Sequence, residues 1–242
     1  MDILFWKKQH KDIELQDTIK QYFKQYLYKI EVYAPGCKSI HHADRYSIAE
    51  SIEIRKHLNR GYNYAGSWHN EKMTEWLNVA DIEFLELIKK LKVKYTELKF
   101  RTEEPKIQIY AQTEEELKDL VLTLPKKYRH NIIKFSAPKD SNHVEALLSN
   151  KIIVKSKPKF QFKVFLREKS FNEFSRQKIN DYLENMGDLV YVNPKTKMHL
   201  TRTQNWLWNC LFYTNDRGIV DFVRLIEPDI IREVCELVYI EE

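Results

Sequence analysis

The side chains with most chemistry to offer are cations interleaved with aromatic rings, and they fall in two stretches. Tyr26-Leu27-Tyr28-Lys29-Ile30-Glu31-Val32-Tyr33 and Phe160-Gln161-Phe162-Lys163-Val164-Phe165-Leu166-Arg167 both read aromatic-x-aromatic-Lys-β-branched. Apolar residues at every second position mark a strand with one buried face. The alternate positions then stand on the other face. Aromatic rings there can stack on bases, and lysine or arginine beside them can hold phosphates. That combination is what a single-strand binder needs.

Other residues suggest weaker chemistry. His41-His42-Ala43-Asp44, with His57 and His69 nearby, raises metal binding. Adjacent histidines on an extended chain point to opposite sides, so no metal and no cofactor is expected. His41 or His42 as a general base, assisted by Tyr62 or Tyr64, is a third-rank reading as an RNA endonuclease. Ser67 lies in Gly66-Ser67-Trp68-His69, which is not a nucleophile elbow. Cys210 has the inward parity of its strand and reads as core, and Trp206 and Trp208 share that parity. Two basic clusters remain: Lys151, Lys155, Lys157, Lys159, Lys163 and Arg167, and the run Lys126-Lys127-Tyr128-Arg129-His130. Lysine runs commonly serve as solvated faces, but each of these adjoins a strand bearing aromatics.

The elements that would position these groups alternate between strand and helix. Residues 1–24 read as a helical lead-in, with a strand at about 27–33 stopped by Pro35-Gly36. Residues 37–79 are irregular and read as an insertion holding a short helix at 48–58. A helix follows at 81–91, then strands at 98–102 and 106–110. Thr113 and Glu116 form a capping box for a helix over 114–124, and a strand at 132–136 closes the unit. A connector over 138–158 contains a short helix at 142–148 and a strand at 152–154. The order then repeats: strand 160–167, helix 171–185, strands 189–192 and 207–213, helix 216–226, and a closing segment. Strand, helix, strand, strand, helix, strand is the split βαβ, or ferredoxin-like, order.

An overlay supports duplication. At a shift of 103, Tyr110 falls on Tyr213, Thr113 on Asp216, Leu122 on Leu225, Pro125 on Pro228 and Arg129 on Arg232. The opening strands need a shift of 134, which lays Lys29 on Lys163. The extra 31 residues of the first copy are placed in 37–79. The expected fold is therefore α+β: two tandem ferredoxin-like units, 1–137 with the insertion and 159–242, joined by 138–158. Strand parity makes Lys29, Glu31, Tyr33, Lys106, Gln108 and Tyr110 the outward face of the first unit. Lys163, Phe165, Arg167, Asn209, Leu211 and Tyr213 form that of the second.

Composition excludes several classes. Hydrophobic residues at 43% and aromatics at 13% suit a packed core rather than a disordered chain. Five glycines leave no Rossmann or Walker phosphate loop. Three cysteines without paired spacing argue against a disulfide scaffold or zinc knuckle and suit a reducing cytosol. No apolar run reaches membrane-span length, and no signal peptide is read at the N-terminus. A net charge of +5 permits an anionic partner.

Gly66-Ser67-Trp68, Glu103-Glu104-Pro105 before a strand ending in Tyr110, the Lys-aromatic strand at 160–167, and Tyr213-Thr214-Asn215-Asp216 with Ile219-Val220 resemble stretches of small tailed-bacteriophage proteins. The resemblance implies a viral origin and a host-cytoplasmic or virion setting. In architecture the tandem order also resembles the CRISPR-repeat RNA endonucleases, whose glycine-rich loop near the C-terminus is missing here.

The expected function is non-enzymatic binding of single-stranded DNA or RNA through Lys29, Tyr33, Lys106, Tyr110, Lys155, Lys157, Lys163, Phe165, Arg167 and Tyr213. A phage or host polymerase is a further expected partner, and no membrane is. The rival expectation is a protein–protein module: a virion component, polymerase subunit or host-factor inhibitor whose sheet faces are buried in a partner.

Overall fold

A computed structural model describes the backbone of residues 1–42, 46–61, 68–202 and 206–241, with side chains except at 42, 59–61 and 68–71. The chain divides into Met1–Ser141 and Asn142–Glu242. In the first unit the order is α1 (Ile3–Gln9), β1 (Glu14–Asp17), β2 (Tyr28–Tyr33), a 3-10 turn Cys37–His42, α2 (Ile48–Gly61), α3 (Trp68–Asn78) and α4 (Ile82–Lys94). It continues with β3 (Lys99–Glu103), β4 (Lys106–Ala111), α5 (Glu114–Thr123), the single turn α6 (Lys126–Arg129) and β5 (Ile132–Ala137). The second unit carries α7 (Ser141–Leu148), β6 (Ile152–Val154), β7 (Phe162–Leu166), α8 (Glu173–Asn185), β8 (Val190–Val192), α9 (Pro194–Thr201), β9 (Leu211–Thr214), α10 (Arg217–Ile226) and β10 (Ile231–Tyr239).

Short oxygen-bearing side chains start the main helices. Asp81, Thr113, Asn172 and Asp216 accept from the backbone N–H groups of Phe84, Glu116, Ser175 and Gly218. Each satisfies a donor that the first turn leaves without a partner. The capping box at Thr113 and Glu116 is present. Helices α4 and α8 both have 13 residues, and α5 and α10 both have 10.

The fold is α+β with two five-stranded mixed sheets. Their orders, β1-β5-β2-β4-β3 and β6-β10-β7-β9-β8, match strand for strand. In each, the first edge strand runs parallel to the last strand and the other pairings are antiparallel. Alternate apolar side chains of the central strands enter the two cores, although burial itself alternates only on β7 and β9. Ile30, Val32, Ile107 and Ile109 enter one core with Leu85, Ile88, Leu117 and Leu120 from α4 and α5. Val164, Leu166 and Phe212 enter another with Ile179, Ile219 and Val223 from α8 and α10.

The two units also correspond in where they differ. Segment 37–79 is inserted between β2 and α4, where the second unit has only a short loop before α8. The second unit has its own addition, α9 and the chain to Cys210, between β8 and β9. The 31-residue offset is thus the balance of two insertions. Glu104 anchors the first one. Its carboxylate accepts from the Gly36 N–H and from Lys38 N–H (3.3 Å), and lies 3.2 Å from Arg55 Nη2 on α2.

Two elements depart from expectation. The lead-in is helical only through Gln9, and Glu14–Asp17 is an edge strand paired with β5. The helix expected at 142–148 and the strand expected at 152–154 are present as α7 and β6, and β6 is the edge strand paired with β10. Helix α9 was not expected. Only Thr196 and Leu200 of it are buried, so it has no apolar stripe, although Asn193 as cap and Pro194 in the first turn were its signal. Among the described residues no helix is long and apolar enough to cross a membrane.

Two glycines test the backbone geometry. Gly36 has φ +80° and a Cβ built there falls 2.8 Å from Ala80 Cβ, whereas Gly187 has φ +54° with nothing within 4 Å. Gly187→Ala is expected to cost about 1–2 kcal/mol, the left-handed penalty alone. Gly36→Ala is expected to cost more, because the backbone around Ala80 must also move. Urea unfolding of both variants measures the difference, and equal costs would contradict the packing at Gly36.

Candidate nucleic-acid interface

The two outward faces are built on the same cross-strand pair. Lys29 lies opposite Tyr110, and Lys163 lies opposite Tyr213. The shifts that align the sequence therefore superpose a lysine–tyrosine pair on the two middle strands of each sheet. Lys99 extends the row in the first unit and Tyr191 extends it in the second.

In the first unit the row is closed. Tyr110 is only 4% exposed. The segment before β2 folds over it, placing the rings of Tyr22, Phe23 and Tyr26 at 5.1, 5.0 and 6.4 Å. Phe23 and Lys24 are left-handed there, with φ of 53° and 59°. That is uncommon for bulky residues, so the ring packing must hold them. The Tyr110 hydroxyl donates to Gln108 Oε1. Burial pushes its phenol up to about 12.

The cations of this face are largely committed to carboxylates. Lys29 Nζ lies 2.8 Å from Glu31 Oε1, and Lys106 Nζ lies 3.3 Å from Glu31 Oε2. Lys134 pairs with Glu14 at 2.7 Å. Burial raises the Glu31 carboxyl, but the hydrogen bond and charge of Lys29, with those of Lys106, outweigh it and the net displacement is downward. Lys29 and Tyr110 therefore do not form the open platform that parity suggests. Parity identifies the face correctly, but it says nothing of the segment that covers it. Lys106 is half-exposed and ion-paired, and Tyr33 at the end of β2 is 40% exposed.

In the second unit the same row is more open. Lys163 Nζ sits 5.1 Å from the Phe165 ring and 5.5 Å from the Tyr213 ring. Tyr191, 48% exposed, has its ring 5.9 Å from that of Tyr213. Arg232 reaches over Phe165 at 5.4 Å. Phe160, expected inward, lies 6.4 Å from Tyr213 at an interplanar angle of 34°; Tyr26 lies at 6.4 Å and 39° from Tyr110. Parity failed at Phe160 because the ladder begins only at Phe162. In place of Tyr22 and Phe23, the segment ahead of β7 presents Lys155, Lys157 and Lys159, all exposed. Arg167 is exposed, its Nε donating to Asp229 O at 3.0 Å. On β10, Glu233 and Cys235 share this face and are buried, so its accessible part lies over β7, β9 and β8.

A further aromatic pair lies outside the core. Trp206 and Trp208, expected in the core, are each 51% exposed. They precede β9 instead of belonging to it, and between them only Leu207 is buried. Asn209, left-handed at φ 52°, turns the chain, and its amide lies between Trp208 Nε1 and Glu168 Oε1, oriented to accept from the first and donate to the second once its oxygen and nitrogen are exchanged. Arg176, fully buried in α8, fixes the approach to this loop by donating to the carbonyls of His199, Leu200 and Arg202. It looks like any solvated helical arginine in sequence.

The histidine readings gain little. His41 Nε2 is hydrogen-bonded with Thr102 Oγ1. Asp44, Tyr62, Tyr64 and Ser67, and the side chains of His42 and His69, lie outside the described residues. Among the described residues no group of three or more His, Cys, Asp or Glu is placed to hold a metal. None of the three cysteines is in a disulfide and all are buried; burial pushes the Cys37 thiol up to about 12 and raises that of Cys210. Comparison of the chain with protein-family models, curated proteins and solved structures returns no match.

The Glu31 cluster makes a pH prediction. A carboxylate held below its ordinary 4.5 stabilises the folded state above that value, and the contribution is lost as pH falls through the depressed folded pKa. Glu31→Gln is expected to lower stability at pH 7, with the deficit shrinking toward pH 3. Urea midpoints of both proteins at several pH values measure it; a deficit independent of pH would contradict the ion-pair origin.

Proposed function

We propose that this protein binds single-stranded nucleic acid through the sheet face of its second unit. The carrying observation is the row Tyr191–Tyr213–Lys163–Phe165, a lysine between two rings with a third ring beyond, beside a lysine-rich approach strand. Rings stack on bases whatever the sequence, and cations track the backbone. In this reading Lys155, Lys157 and Arg167 contact phosphates, while Tyr213, Tyr191 and Phe165 supply stacking surface. Tyr33 and Lys106 belong to the first unit's face and contribute less, because Glu31 already neutralises its cations.

The strand order within each sheet supports the finer fold assignment. Setting aside the parallel edge strands, the orders β5-β2-β4-β3 and β10-β7-β9-β8 are those of a split βαβ sheet, which supports that reading. RNA-recognition motifs use the opposite face of such a sheet for stacking bases. We place the protein in the cytoplasm of a phage-infected host, as a non-enzymatic accessory to replication, transcription or RNA control beside a phage or host polymerase.

One observation favours a protein partner instead. Phe174, Phe222 and Leu225 on α8 and α10 are 68%, 45% and 79% exposed, and Phe222 stacks on Tyr182 at 4.2 Å. Apolar groups gathered on a helix layer suit an interface.

Fluorescence polarisation with labelled single-stranded DNA and RNA at two salt concentrations tests the main reading. Wild type is expected to bind at low salt and to weaken as salt rises. Tyr191→Ala with Tyr213→Ala is expected to weaken binding by at least about tenfold, since each stacked base contributes about 1–3 kcal/mol. Lys163→Glu is expected to weaken it at low salt most. Absence of low-salt binding, or binding indifferent to these changes, would leave the protein-partner reading standing.

A further inference from the structure

The first unit has a cleft of about 510 Å³ at the end of β2, within the size range of small-ligand sites. Local structure explains why it forms. Tyr33 N–H donates to Asn131 O at 2.7 Å, which draws the end of β2 against the chain leaving α6. The stacked rings of Phe84 and Tyr128, 4.5 Å apart, line it together with Ala34 and Pro35. Tyr33 lines it with a ring that is 40% exposed.

Polar groups complete the lining. Lys127, His130 and Asn131 line it too, the first two exposed to solvent. Lys127 Nζ lies 3.2 Å from Glu83, but both side chains are largely exposed at 63% and 82%. A surface pair of this kind is worth at most about 1 kcal/mol, so the ammonium is readily shared with an incoming anion. Among the described residues Asp81 is the one lining carboxylate, and it is engaged with Phe84 N–H at 3.0 Å and with the Tyr128 hydroxyl at 3.5 Å. It disfavours an anion near it, and it can accept a hydrogen bond from an amino group.

We propose that this cleft binds a single nucleotide. The base stacks on Tyr33, with the Asn131 amide and the Asp81 carboxylate available to its polar edge. The phosphate lies toward Lys127 and His130. A flat ring with mixed donors and acceptors and one attached anion matches this lining: apolar aromatic surface, an amide, a carboxylate and two cationic or imidazole groups. The nucleotide is either free or part of a strand, since both carry that chemistry. The proposal does not depend on the second unit's face, which shares no residue with it.

Calorimetric titration of the full chain with the four ribonucleoside 5′-monophosphates, their nucleosides and a short oligonucleotide tests it. At least one monophosphate is expected to bind in the millimolar range or tighter, and more tightly than its nucleoside. Tyr33→Ala is expected to weaken that binding about tenfold, the scale of one stacked base. Lys127→Ala is expected to narrow the gap between nucleotide and nucleoside. Both are surface substitutions, and circular dichroism confirms that each variant is folded. Repeating the titrations in Tyr213→Ala separates the sources and separates this cleft from the sheet face. Monophosphate binding retained there identifies a free nucleotide. Oligonucleotide binding that still responds to Tyr33→Ala there identifies a base within a strand. Absence of binding by every nucleotide and oligonucleotide in Tyr213→Ala, or binding unchanged by Tyr33→Ala, overturns the proposal.

Discussion

The antiparallel pairing of each unit's two middle strands, β2 with β4 and β7 with β9, is the constraint on which the rest depends. In such a ladder a one-residue slip would exchange the buried and exposed faces. Ile30 and Val32 opposite Ile109 and Ile107 fix the register of the first, and Val164 opposite Phe212 fixes that of the second. Once the register is fixed, lysine must stand opposite tyrosine on the outer face in both units. Helices α4, α5, α8 and α10 cover the inner faces, and the insertions lie in the links that leave this pairing intact, 37–79 between β2 and α4 and α9 between β8 and β9.

The two copies differ in what lies over that outer pair. The first unit closes it with Tyr22, Phe23 and Tyr26, and spends its cations on Glu31 and Glu14. The second retains one equivalent ring, Phe160, and otherwise presents lysines. Position 31 carries a carboxylate, whereas Phe165 stands at the corresponding position of the second strand under the same shift. Two sheets of matching strand order thus carry one outer face closed by its own chain and one that is more open. The cleft at the end of β2 belongs to the first unit and is lined by Tyr33, an outward residue that the aromatic cover leaves exposed.

Much of this was legible locally. Caps at Asp81, Thr113 and Asp216 depend on one side chain and the next turn. Strands β2, β4 and β7 carry their period-two pattern in five or six residues. What depends on distant partners was not legible. Glu14–Asp17 is a strand because β5 runs beside it. Tyr110 is buried because a remote segment crosses it, and Trp206 and Trp208 are outside because the ladder starts later than their alternation suggests. Arg176 became a buried anchor only through the carbonyls at the end of α9. The site was legible as a pattern of outward residues, but which copy keeps them accessible was not.

The central claim is that the accessible lysine–tyrosine pair of the second unit is the contact surface for a single strand. Hydrogen-exchange mass spectrometry of the full chain with and without a short single-stranded oligonucleotide tests it most directly. The account predicts added protection across 155–165, 190–192 and 211–214, with the Lys29–Tyr110 end of the first sheet unchanged. Protection confined to α8 and α10, or none under conditions where the oligonucleotide binds, would contradict it.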